Sequence, residues 1–173
     1  MDMNLKGSLA WFTAMLIFFW APLSMAASPL EIQAWLQAHN NYRTLHGVPP
    51  VTWSSTVADS AQAYADTCPS VHSGSGYGEN LAWSSPASHN PGVSTIVQWW
   101  YDEQALYDYD NPGFNSKTGH FTQVVWKGTT EIGCGFATNC NIPGKDNIWV
   151  CQYNPPGNYT GHFAEMIKKI RSK

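Results

Sequence analysis

Residues 9–21 form an apolar run interrupted only by Thr13, and small residues follow around Ser24, Ala26 and Ala27. After that the apolar positions become periodic. Ile32, Trp35, Leu36, His39 and Tyr42 recur at helical spacing and predict a helix over 29–45. Ser28 suits its cap, Pro29 its first turn and Glu31 its positive end; Gly47, Pro49 and Pro50 stop it. Val57, Ala58, Ala61, Tyr64 and Ala65 predict a second helix over 54–67, and Ile96, Val97 and Trp100 a third over 93–106. The rhythm then shifts. Residues 120–126, with Val124, Val125 and Trp126, read as a strand, as do 132–137 and 148–153. Residues 163–170 read as a short closing helix.

Loops separate these elements at 70–78, 86–92 and 107–119, the last punctuated by Asn111-Pro112-Gly113. Helices first and antiparallel strands later predict an α+β domain with helices packed on a sheet.

The N-terminal run fits a secretory h-region of about 7–15 residues and falls short of the roughly 20 that span a bilayer. Residues 1–27 are therefore expected to be a signal peptide, cleaved after Ala26 or Ala27, and residues 28–173 one secreted domain. No second long apolar run follows, so no integral membrane anchor is expected. A net charge of -3 gives no overall electrostatic footprint for nucleic acid. Cys68, Cys134, Cys140 and Cys151 make an even count in an exported chain, which predicts two disulfides with three connectivities open. No C-x-x-C pair favours zinc as their use.

Four residues carry candidate chemistry: His72, Glu79, Glu103 and His120. Two imidazoles and two carboxylates could hold a divalent metal or act as acid and base. Taken singly, each reads as a capped loop residue or an exposed carboxylate, and spacing alone does not bring them together. The nucleophile-elbow, zinc-protease and phosphate-loop motifs are absent, and Gly74, Gly76 and Gly78 do not make a dinucleotide fingerprint. Asn158-Tyr159-Thr160 is an N-glycosylation sequon.

Residues 119–126, Gly-His-Phe-Thr-Gln-Val-Val-Trp, closely resemble the first signature of the CAP superfamily, which includes plant pathogenesis-related 1 proteins, cysteine-rich secretory proteins and insect venom antigen 5. Residues 153–159 resemble its second signature, 39–43 its H-N-x-x-R motif and 78–82 its G-E-N-L-A motif. The four occur in family order. The resemblance implies an α-β-α sandwich with a mainly antiparallel three-stranded sheet between helices. It also implies an open cleft holding His72, Glu79, Glu103 and His120, with zinc as an optional occupant and no cofactor required. It further implies Cys68–Cys140 and Cys134–Cys151 bridges.

Within 107–114, Tyr107, Tyr109 and Phe114 resemble the family's "caveolin-binding" pattern of aromatic, one residue, aromatic, four residues, aromatic. In fungal members of the sterol-export type this loop binds sterol, and the wording here looks more fungal than plant. Flat aromatic faces suit a rigid apolar plate. The same aromatics could instead anchor the loop to the core. The resulting expectation is a secreted, monomeric binder of sterols or related small lipids, in defence, virulence or detoxification. The alternatives are a metal-dependent hydrolase or protease and an extracellular receptor or cell-wall interaction module.

Overall fold

The computed structural model describes residues 27–170. The expected signal peptide therefore lies outside the described residues, apart from Ala27. Ser28 opens the first helix, α1 (Pro29–Leu45), with a reciprocal cap: its hydroxyl accepts from the Glu31 amide and the Glu31 carboxylate accepts from the Ser28 amide. Strand β1 (Thr52–Trp53) follows, then α2 (Ser55–Ala65), whose first turn is capped by the Ser54 hydroxyl. Strand β2 (Gly78–Ser84) leads to α3 (Val93–Asp102), which tightens into a 3₁₀ turn over Glu103–Leu106. Helix α4 (Gly119–Val124), strands β3 (Glu131–Ala137) and β4 (Asn147–Asn154) and the short α5 (Phe163–Met166) complete the chain.

The sheet order is β1-β3-β4-β2. Strands β2 and β3 run antiparallel to β4, while β1 runs parallel to β3. The sheet is mainly antiparallel, as expected, and β1 adds a fourth, parallel strand to the expected three. A two-residue pairing such as β1 leaves no periodic trace in a sequence.

Alternation along β4 divides two cores. Ile148 and Val150 pack with Leu81, Ala61 and Ala65 on the α2 side. Trp149, Cys151 and Tyr153 face the larger core built from α1, α3 and α4, with Trp35, Ile96, Trp100 and Phe121. Gly133 and Gly135 let α2 lie almost on β3: a Cβ on them would stand 2.0 Å from the Ala58 nitrogen and 2.4 Å from the Gln62 Cα. Cys134 and Cys151 sit opposite each other in register and are bridged, and Cys68 is bridged to Cys140. The second bridge fastens the end of α2 to the loop between β3 and β4.

Three segments differ from their sequence reading. Residues 120–126 form most of α4 and its exit, not a strand. The Glu103 carboxylate accepts from the His120 and Phe121 amides, satisfying donors that a helix start leaves open. Burial of Phe121, Thr122 and Val124 then overrides the strand preference of the valines. The third helix stops as an α-helix at Asp102, and the last one spans Phe163–Met166 rather than 163–170.

Candidate functional site

Arg43, in the middle of the last turns of α1, holds the framework around the candidate sites. It is fully buried, and its guanidinium donates to the carbonyls of Pro49, Val124, Trp126 and Thr129 at 2.8–3.0 Å. Desolvation lowers its pKa to about 10, which still leaves it charged at neutral pH. His39, one turn earlier, joins a second buried chain. Its Nδ1 lies 2.9 Å from the Trp35 carbonyl and its Nε2 2.9 Å from the Tyr153 hydroxyl. Asn80 donates both to that hydroxyl and to the His120 carbonyl. The only consistent assignment has Nδ1–H donating to Trp35 and the Tyr153 hydroxyl donating to Nε2. Desolvation lowers the His39 pKa to about 4, in keeping with a neutral ring.

The four cleft residues stand as two pairs. His72 Nδ1 meets Glu79 Oε1 at 2.9 Å, and His120 Nδ1 meets Glu103 Oε1 at 2.7 Å. Glu79 shares its face of β2 with Leu81, on the α2 side, and lies opposite Gln152. Its carboxylate also accepts from the Ser73 amide and hydroxyl and from Gln152 Nε2. Burial pushes the Glu79 pKa up, but hydrogen bonds from His72, Ser73 and Gln152 together outweigh it and hold it low. The Glu79 hydrogen bond, opposed by partial desolvation, raises the pKa of His72. On the other face of β2, Asn80 donates to the His120 carbonyl.

The resemblance gathers all four into one cleft. The structure joins them as two hydrogen-bonded pairs, His72 with Glu79 and His120 with Glu103. Zinc requires three or four ligands converging at about 2.0–2.3 Å. Among the described residues no group of three or more His, Cys, Asp or Glu stands close enough to hold a metal ion. We assign no metal chemistry to these pairs.

The aromatic loop divides into an anchor and a lip. Tyr107 is buried, with its ring 5.5 Å from Phe121, and its hydroxyl has no partner among the described residues. Tyr109 is half-buried and accepts from Gln104. The Asp108 carboxylate accepts from the Asp110 and Asn111 amides and rounds the turn. Phe114, by contrast, is 60% exposed, and so is Leu106 at 66%. Both line a cavity of about 250 Å³, together with Tyr107, Asp108, Asn111, Gly113, Asn115 and Thr118. Sequence reasoning did not single out Leu106 as a lining residue, because it falls at the end of the expected third helix, 93–106. Ser73 and Gln152 were also missed, although a glutamine within the apolar run of β4 was a signal.

Asn158, the sequon residue, has a positive φ of 62° and clamps the start of α4. Its Oδ1 accepts from the Thr122 hydroxyl at 2.6 Å and its Nδ2 donates to the Gly119 carbonyl at 2.9 Å. Among the described residues no helix is long and apolar enough to cross a membrane.

A sequence model of the cysteine-rich secretory protein family, CAP, matches residues 36–153. The chain is similar to Protein PRY2 of Saccharomyces cerevisiae, 47% identical over 137 residues, which are 76% of this chain and 39% of that protein. It is also similar to Pathogenesis-related protein 1 of Arabidopsis thaliana, 42% identical over 131 residues, 73% of this chain and 78% of that protein. The chain thus spans about two fifths of the yeast relative, with its 39% match, and most of the plant one. Among solved structures, BmVAL-1 superposes with a TM-score of 0.64 at 28% identity, over 83% of this chain and 82% of that one.

Proposed function

The chain belongs to the cysteine-rich secretory protein (CAP) family, and from that premise we propose that it is a secreted binder of sterols or related small lipids that works through the loop from Leu106 to Thr118. One observation carries the reading: Leu106 and Phe114, two large apolar side chains, stand out of the surface and line one cavity. Exposed apolar groups that line a hollow are a frequent mark of a ligand site. The cavity, at about 250 Å³, is below the roughly 300–1,000 Å³ of pockets that enclose a small ligand. A rigid, plate-shaped lipid would insert an edge there and lay its flat face against Leu106 and Phe114.

Tyr107 and Tyr109 serve this site indirectly, by fixing where the loop leaves the core. Replacing all three pattern aromatics together would confuse anchor with contact. Secretion is supported by the N-terminal apolar run followed by small residues and by two disulfides, which persist in oxidising compartments. A role in defence, virulence or detoxification accords with the plant and fungal relatives. The test is binding of labelled cholesterol or ergosterol to the purified protein. Saturable binding displaced by unlabelled sterol supports the reading, and no saturable binding removes it.

A further inference from the structure

A second cavity, of about 430 Å³, opens between the end of α1 and the C-terminal segment, lined by His46, Gly47, Lys127, Lys168 and Lys169. The described part of the chain has five lysines: Lys117, Lys127, Lys145, Lys168 and Lys169. Three of the five line this one cavity, and among the described residues no carboxylate does. In a chain of net charge -3 that is a local concentration of positive charge against the overall balance.

The floor is built rather than incidental. His46 is buried, with Nδ1 on the Lys168 carbonyl and Nε2 3.0 Å from the Tyr101 hydroxyl. The Lys127 amide donates to the Met166 carbonyl at 3.2 Å. These bonds hold the three lysine-bearing positions around a common opening. Arg43 donates to the Trp126 carbonyl, next to Lys127, and has no carboxylate partner among the described residues. Its charge adds to the field.

The end of α1 could have been what the ammonium groups serve, since a helix C-terminus attracts cations. Those carbonyls are already taken: the amides of His46, Gly47 and Val48 donate to Tyr42, Thr44 and Arg43. The Lys169 ammonium stands 5.7 Å from the centre of the Tyr109 ring. Like charges gathered around one hollow repel one another, and an oxyanion placed among them relieves that repulsion. Lysine binds phosphate well as a point charge.

We propose that this cavity is an anion site that takes a phosphate group. The group could belong to a lipid headgroup or be free phosphate. The site does not depend on the aromatic loop binding sterol.

The experiment uses the secreted chain at an ionic strength of about 0.15 M, where distant charges are screened. Inorganic phosphate is titrated while the amide resonances are followed. Sedimentation with phosphatidylcholine vesicles is compared with and without phosphatidic acid. The triple variant Lys127→Gln/Lys168→Gln/Lys169→Gln is set beside a control, Lys145→Gln, that removes a lysine elsewhere. The site predicts phosphate-dependent shifts at Gly47, Lys127, Lys168 and Lys169, or selective sedimentation with phosphatidic acid. The triple variant should weaken either one at least about tenfold and the control should leave it unchanged. A response to inorganic phosphate assigns the free ion, and a response to vesicles alone assigns the headgroup. Binding that survives the triple variant, falls equally in the control or is missing in both arms overturns the proposal.

Discussion

The ring of Tyr107 stands edge-on to that of Tyr109, with centroids 4.9 Å apart and planes at 84°. The pair joins the aromatic loop to the core, because Tyr107 continues onto Phe121 while Tyr109 reaches Gln104. Tyr107→Ala should therefore cost about 3–5 kcal/mol, in the range of large-to-small core replacements. Tyr107→Phe removes a hydroxyl that is buried without a partner, so it should leave stability unchanged or raise it by up to ~1 kcal/mol. Urea unfolding of the two variants checks both. A large loss in Tyr107→Phe would mean that the hydroxyl is bonded after all.

Arg43 should prove a structural residue. Arg43→Met leaves four carbonyls without their donor and should destabilise by roughly 3 kcal/mol or more. Arg43→Lys keeps the charge but not the fork that spans Pro49, Val124, Trp126 and Thr129, so it should recover only part of that loss. Denaturation midpoints for the three proteins decide it, and full rescue by lysine would show that charge alone matters.

Acid should unfold the domain through His39. Its folded pKa is lowered to about 4, so the unfolded chain takes up a proton below about 6.5 that the folded protein refuses. Stability is then fully present above the unfolded value and is lost as pH falls toward about 4, by roughly 3 kcal/mol at most. His46, also lowered by desolvation, acts in the same direction. The His72–Glu79 pair behaves differently. Raised His72 contributes below its unfolded pKa and loses that contribution as pH rises through the folded one. Lowered Glu79 contributes above its unfolded pKa and loses its contribution as pH falls. The pair is thus strongest between about 4.5 and 6.5, and the exposure of His72 keeps its effect small. Unfolding free energies at pH 7, 5.5 and 4.5 should fall with pH in the wild type and fall less steeply in His39→Gln. Equal slopes would move the acid sensitivity elsewhere.

The two bridges should differ in worth. Cys68–Cys140 spans a sequence separation of 72 and Cys134–Cys151 one of 17. Loop-closure entropy gives about 4 kcal/mol for the first and about 3 kcal/mol for the second. Paired Cys→Ser variants, measured by thermal unfolding, should rank in that order.

Much of this fold is legible in the sequence because its main elements carry their own signals. Residues 29–45 pair a capping serine with a helical apolar period, and α1 occupies that span. The expected strands 132–137 and 148–153 lie within β3 and β4. Residues 120–126 mislead because what makes α4 helical is the carboxylate of Glu103, 17 positions earlier, which no local pattern reveals. Strand β2 has no valine or isoleucine and follows a glycine-rich loop, so its strand character comes from pairing with β4. Pairing of His72 with Glu79 and of Glu103 with His120 was likewise invisible, since Glu79 sits on β2 and Glu103 in the 3₁₀ turn after α3, and the chain's folding, not local spacing, sets what each meets. For the aromatic loop, the spacing of Tyr107, Tyr109 and Phe114 is plain in the sequence, but only burial separates anchor from lip.

The central claim is that Leu106 and Phe114 contact a sterol while Tyr107 holds the loop. The most direct measurement compares labelled-cholesterol affinity in the wild type and in Leu106→Ser/Phe114→Ser, with the melting temperature of each. Both side chains are exposed, so the melting temperature should stay the same. Loss of their apolar contact should raise the Kd by about 30-fold or more, equivalent to ~2 kcal/mol. An unchanged Kd in a folded double variant would contradict the account.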